Sequence, residues 1–170
     1  EADAIVAREA IELCKNDLAT LMVAEFPELQ GVIGRIYALD DHIDPAVATI
    51  IEQHYWPRFP GDRVPETTPG AVVGLIDRME MLCGFFLDGA ELSSSADPYG
   101  LRRVATGIVE TIWKRGINVS LRSLVEQVMR SFDMAATGES VDTVVAFLLQ
   151  RADTLLSADG ISRGIRQAIL

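Results

Sequence analysis

Histidine and cysteine are nearly missing from this chain: His42, His54, Cys14 and Cys83 are the whole supply. Neither imidazole has a cysteine or a second histidine at metal-ligand spacing, so the common zinc scaffolds are excluded. The cysteines form no CxxC pair and no disulfide framework, which makes a reducing cytoplasm the natural compartment. Long apolar runs are absent too. Nothing approaches the roughly 20 residues that span a bilayer, so no membrane partner is expected. The opening EADAIVAREA lacks the basic-then-apolar layout of a signal peptide. It reads as mid-helix without an initiating Met, as a piece of a longer chain would. Positive charge is in deficit, with 15 Lys and Arg against 25 Asp and Glu and a net charge of −10. A dedicated nucleic-acid-binding module needs a cationic surplus on its contact surface, so any such contact must be local.

What is present is apolar helix. Hydrophobic residues make up 49% of the 170 positions, enough for a real core in one domain or one domain with an appendage. From Ala2 to Ala24 the positions Ile5, Leu13, Leu18, Leu21 and Met22 recur near helical spacing until Pro27 ends the run. A second helix is predicted over Glu28 to Leu39, and a third from Asp44-Pro45, an N-cap carboxylate followed by a proline preset for the first helical position. The stretch YWPRFPGDRVPETTPG then reads as an ordered loop anchored by Tyr55, Trp56 and Phe59. Thr68-Pro69 opens a helix to about Phe86, GAELSSSA is a polar turn, and Asp97-Pro98 opens a helix to about Arg115. Ser120 and Ser140 are predicted caps for helices over 121–132 and 141–156, and Ser162 for a short last one. No alternating strand pattern is seen, so the fold class is all-α, with seven or eight helices.

Charge is unevenly spread. Residues 98–130 carry Arg102, Arg103, Lys114, Arg115, Arg122 and Arg130 against only Glu110 and Glu126. Arg103 stands eleven residues before Lys114, close to three helical turns, so one face could follow a nucleic-acid backbone. The competing reading pairs these cations with the acidic remainder or with another protein. Trp56 and Phe59 could stack an exposed base, or pin their loop to the core; Trp113 reads as core. His42, among Asp40, Asp41 and Asp44, reads as a solvated turn residue, and His54 as packed with Tyr55.

Four peptides resemble one family in order and spacing: LCKNDLATLMVAEFPELQGVIGRIYA, EQHYWPRFPGDRVPE, GAVVGLIDRMEMLCGFF and SADPYGLRRVATGIVETI. They are similar to the HD-like region of the bacterial glycyl-tRNA synthetase β subunit, and VAFLLQRADTLLSADGISRGIRQAIL resembles the segment after it. FPELQG and DPYGLRR are the most specific pieces. The resemblance implies a degenerate HD-like helical domain over residues 1–135 and a helical extension over 136–170 leading toward an anticodon-binding region. It further implies a tRNA-positioning and structural role in glycine–tRNA ligase, with glycine-accepting tRNA and an α subunit as partners in an α2β2 complex. ATP use and adenylation would fall to the α subunit, leaving no cofactor and no catalytic residue in this chain. The tRNA-facing candidates are Arg102, Arg103, Lys114 and Arg115. Where the family usually has Gly-Ser-Lys, this chain has Ser94-Ser95-Ala96, so any phosphate contact of that lysine is lost.

An HD phosphohydrolase needs a His, a His-Asp pair and a later Asp to hold its metal. By the resemblance Cys14-Lys15 occupies the place of the pair and Asp77 that of the last ligand. An ammonium repels a divalent cation, so Asp77 is expected to make a hydrogen bond or ion pair in the core, with no metal. Nor is there a Walker motif, a nucleotide-binding glycine-rich loop, or the HIGH and KMSKS signatures of class I synthetases. A metal-dependent phosphohydrolase and a purely structural protein-interaction scaffold are the alternatives.

Overall fold

The structure is a computed structural model and describes residues 1–89, 97, 99–132 and 137–170. Among these the chain is helix and turn with no strand, the all-α fold expected. The α-helices are α1 (Ala2–Leu13), α2 (Leu21–Glu25), α3 (Val32–Asp40), α4 (Pro45–Gln53), α5 (Thr68–Leu87), α6 (Leu101–Lys114), α7 (Leu121–Met129), α8 (Gly138–Ala158) and α9 (Arg163–Ile169). Single turns of 3-10 helix cover Asn16–Ala19 and Pro27–Leu29. The chain divides into two compact units, Glu1–Asp77 and Arg78–Leu170, with the boundary in sequence falling within α5.

In the first unit the predicted helix from Ala2 to Ala24 is broken. It stops at Cys14, turns through Asn16–Ala19, and restarts as α2, where the Thr20 hydroxyl accepts from the Val23 amide. The apolar spacing is continuous through the break, but Asp17 is 2% exposed and anchors the turn with its carboxylate. The second predicted helix likewise starts late, at Val32 after Gly31. Gly31 has φ 80, and a Cβ there would lie 2.6 Å from Tyr55 Cδ2, so both the backbone and the ring require glycine. Asp44 caps α4 as predicted, accepting from the Ala46 amide at 2.7 Å, with Pro45 in the first turn. Ala10, Cys14, Ala38, Val47, Ala48, Ile50, Ile51 and Val73 form the core that α1, α3, α4 and α5 share. Small residues in this set let the helices approach closely, and each fully buried Val or Ile contributes roughly 1.5–3 kcal/mol.

The second unit is built on stripes at helical spacing. Leu101, Ala105 and Ile108 on α6, Val125 and Met129 on α7, and Val144 and Leu148 on α8 are all fully buried. Three cap assignments shift. α6 begins at Leu101 rather than directly after Asp97, yet Asp97 still closes it, accepting from the amides of Leu101 at 2.7 Å and Arg102 at 3.0 Å. α8 starts at Gly138 because Thr137, not Ser140, is its cap; Ser140 is the reciprocal partner in a capping box. Thr67 rather than Thr68 caps α5, its hydroxyl accepting from Gly70. The polar turn predicted over GAELSSSA lies, from residue 90 on, outside the described residues, as does Pro98.

Candidate functional site

Asp77 and Cys14-Lys15, the positions that the family resemblance set against an HD metal centre, lie in the first unit, and an ammonium meets the carboxylate there. Lys15 Nζ lies 2.9 Å from Asp77 Oδ2 and 4.6 Å from the centre of the Tyr55 ring. Asp77 therefore makes the ion pair expected, though at the surface rather than in the core: the two side chains are 42% and 31% exposed. Beneath it, Tyr55 Oη donates to Asp17 Oδ1 at 2.9 Å and the Gly31 amide donates to Asp17 Oδ2 at 2.6 Å. Burial, with the Asp17 carboxylate adding to it, holds the Tyr55 phenol above its ordinary value. Cys14 is buried and donates to the Ile11 carbonyl, and desolvation pushes its thiol up. These groups satisfy one another, and no set of three or more His, Cys, Asp or Glu that could hold a metal occurs among the described residues. A cavity of about 220 Å³ beside Asp17, lined by Leu13, Gly34, Tyr37, Ala38, Ile43 and Ile51 among others, is largely apolar.

Both histidines stand where sequence placed them. His42 is exposed in a turn at φ 60. His54 is fully buried, 3.9 Å between ring centres from Tyr55, and its Nδ1 faces the Ile51 carbonyl at 2.8 Å. Cys83 is also buried, which raises its thiol to about 11.

The proline-rich loop is internally matched. Trp56 is 5% exposed and covered by the Arg63 guanidinium at 3.5 Å, so it pins the loop, as one of the two readings had it, whereas Phe59, expected beside it as an anchor, is 56% exposed. Arg63 and Arg35 both pair with Glu52, at 3.4 and 3.5 Å. Arg58 bonds Asp62 through Nε at 2.9 Å and through its own amide at 3.0 Å, and this holds the Asp62 carboxyl down at about 2. Gln53 Oε1 takes the amides of Glu66 and Thr67, tying the loop's end to α4.

The basic stretch is divided differently. Lys114 leans on the buried Glu110 at 3.5 Å, Arg122 bonds Asp142, and Arg130 lies 3.9 Å from Glu126. Arg103 and Lys114 do lie on one side of α6, but Glu110 between them is only 5% exposed, so that side is interrupted. Arg102 is half-buried. Arg103 and Arg115 are exposed, with no ion pair among the described residues. Trp113, expected in the core, is instead 57% exposed. The packed stripe of Leu101, Ala105 and Ile108 passes on another side of α6, an angular offset that residue type alone did not reveal.

Among the described residues these features define an all-helical module with a closed polar cluster around Asp17, Tyr55, Lys15 and Asp77 and an exposed aromatic and cationic patch on α6. The pattern of the family described as "Glycyl-tRNA synthetase beta subunit" matches residues 2–170. Glycine–tRNA ligase β subunits of Picosynechococcus sp. and Thiobacillus denitrificans are 40% and 39% identical over 100% of this chain and 24% of their own lengths. That of Moorella thermoacetica is 41% identical over 98% of the chain and 25% of its length. The chain belongs to the glycyl-tRNA synthetase β-subunit family, and it spans about a quarter of the length of the curated relatives it matches.

Proposed function

We propose that the chain is a tRNA-positioning and structural part of a glycine–tRNA ligase β subunit, acting in the cytoplasm within an enzyme that joins glycine to tRNA using ATP. In this reading residues 1–135 are a degenerate HD-like domain and 136–170 an extension. Adenylation belongs to a separate α subunit in an α2β2 assembly, and glycine-accepting tRNA is the other partner. The carrying observation is that Arg103 and Arg115 remain exposed and unmatched by carboxylates among the described residues, in a chain with 25 acidic and 15 basic side chains. With so many acids available, cations left unmatched are suited to phosphate. Arg102 and Lys114 complete the surface, although Lys114 is shared with Glu110.

The scaffold reading draws on the ion pairs of Lys114, Arg122 and Arg130. The phosphohydrolase reading has no donor set among the described residues. The test is tRNA binding by the full-length β chain with its α subunit, wild type against a combined Arg102→Ala, Arg103→Ala, Lys114→Ala and Arg115→Ala variant, over a salt series. Affinity should fall, and the salt slope should drop by about one for each phosphate contact removed. Wild-type affinity and slope in a folded variant would leave the scaffold role alone standing.

A further inference from the structure

We infer that Trp113 is a stacking platform for an unpaired base of the tRNA; this rests on the tRNA reading of α6 and adds to it the residue and the kind of contact. Trp113 is 57% exposed, whereas the chain's other tryptophan, Trp56, is 5% exposed. An indole left in water forfeits one of the largest burial gains any side chain offers, and its flat apolar face is suited to stacking on a flat partner. α6 does not need it for packing, since Leu101, Ala105 and Ile108 are each fully buried without it.

The surroundings favour a nucleobase over a protein side chain. Trp113 is followed directly by Lys114 and Arg115, both exposed, and the chain turns away at Gly116 with φ 61. Arg115 has no ion pair among the described residues. An aromatic face flanked by cations is the arrangement by which single-stranded nucleic acid is held, bases stacking while the backbone meets positive charge. The position along the helix matters as well. Backbone carbonyls at a helix C-terminus disfavour an anion, so a phosphate held there relies on the Arg115 side chain, while a neutral base face carries no such penalty. Arg103, also exposed, lies ten residues before Trp113, about 15 Å along the axis.

The experiment uses the full-length β chain with its α subunit and compares Trp113→Ala, Trp113→Phe and Arg103→Ala/Arg115→Ala in titrations with glycine-accepting tRNA across a salt series. Trp113→Ala should lose about tenfold in affinity, within the range for one stacked base. Its salt slope should match wild type, because no phosphate contact is removed. Trp113→Phe should recover most of the loss. Wild-type affinity in Trp113→Ala together with weakened binding in the arginine variant overturns stacking and leaves the phosphate reading intact. Wild-type affinity in both overturns both. A Trp113→Ala enzyme whose subunits dissociate more readily, with tRNA affinity restored at concentrations that reassemble it, assigns the indole to a protein contact and also overturns the inference.

Discussion

The proline-rich loop of the first unit and the C-terminal end of α6 each bring a tryptophan and arginines together, and they use them in opposite ways. In the loop, Trp56 is buried beneath Arg63, and the arginines there are matched by Glu52 and Asp62. At α6, Trp113 faces solvent and Arg115 has no ion pair among the described residues. The same residue types hold a loop in place where carboxylates answer the cations, and offer a binding face where they do not. The same matching holds at Asp77, whose charge is answered from within the chain by Lys15.

The comparison is broken most severely at Asp17. Its carboxylate accepts from the Gly31 amide and from the Tyr55 hydroxyl, and it is 2% exposed. Asp17→Ala leaves the buried Gly31 amide without its carboxylate and removes an acceptor from the Tyr55 hydroxyl, and unfolding experiments should show a loss of about 3 kcal/mol. Asp17→Asn keeps the volume and one acceptor oxygen, so it should lose about half as much. A loss below about 0.5 kcal/mol in the alanine variant would mean that the cluster does not organise the unit.

Helix content and most helix positions were legible because apolar spacing and cap residues are local signals. Asp44-Pro45 and Ser120 cap where they were predicted to. The break after Cys14 was not legible, because what stops the helix is a contact between Asp17 and Gly31, fourteen residues apart, that no local pattern records. That Asp77 makes an ion pair was expected through the family resemblance, but its partner Lys15, 62 residues away, was not. Trp113 was misread for a different reason: a large aromatic on an amphipathic helix is ordinarily core, and only the angular offset of the packed stripe places it outside. The cationic stretch was visible in sequence, but its division into paired and open members depends on where Glu110 and Asp142 come to rest.

A pH series sharpens the loop side of the comparison. The hydrogen bonds from Arg58 hold Asp62 at about 2, down from 3.8. A carboxyl whose value is lowered by folding contributes stability that is fully present above about pH 4 and is lost as pH falls toward about 2. Asp62→Asn lacks that contribution at every pH. The stability gap between wild type and Asp62→Asn should therefore be about 1 kcal/mol near neutrality, modest because Arg58 is 42% exposed. It should close between about pH 4 and pH 2. A gap that stayed constant with pH would assign Asp62 a neutral hydrogen-bonding role rather than an ionic one.

The smallest expected effect is the one that defines the α6 side. If Arg103 and Arg115 serve a partner and not the fold, Arg103→Ala with Arg115→Ala should change the stability of the chain by no more than about 0.5 kcal/mol, as surface substitutions away from structural contacts do. Arg115 follows the last turn of α6, where a cation offsets the carbonyl end of the helix, so a loss of a few tenths of a kcal/mol is the direction expected. Unfolding midpoints in denaturant measure this without tRNA present. A loss above about 1 kcal/mol would place these arginines with Arg58 and Arg63 as structural groups, and the contrast between a closed loop and an open helix face would fail.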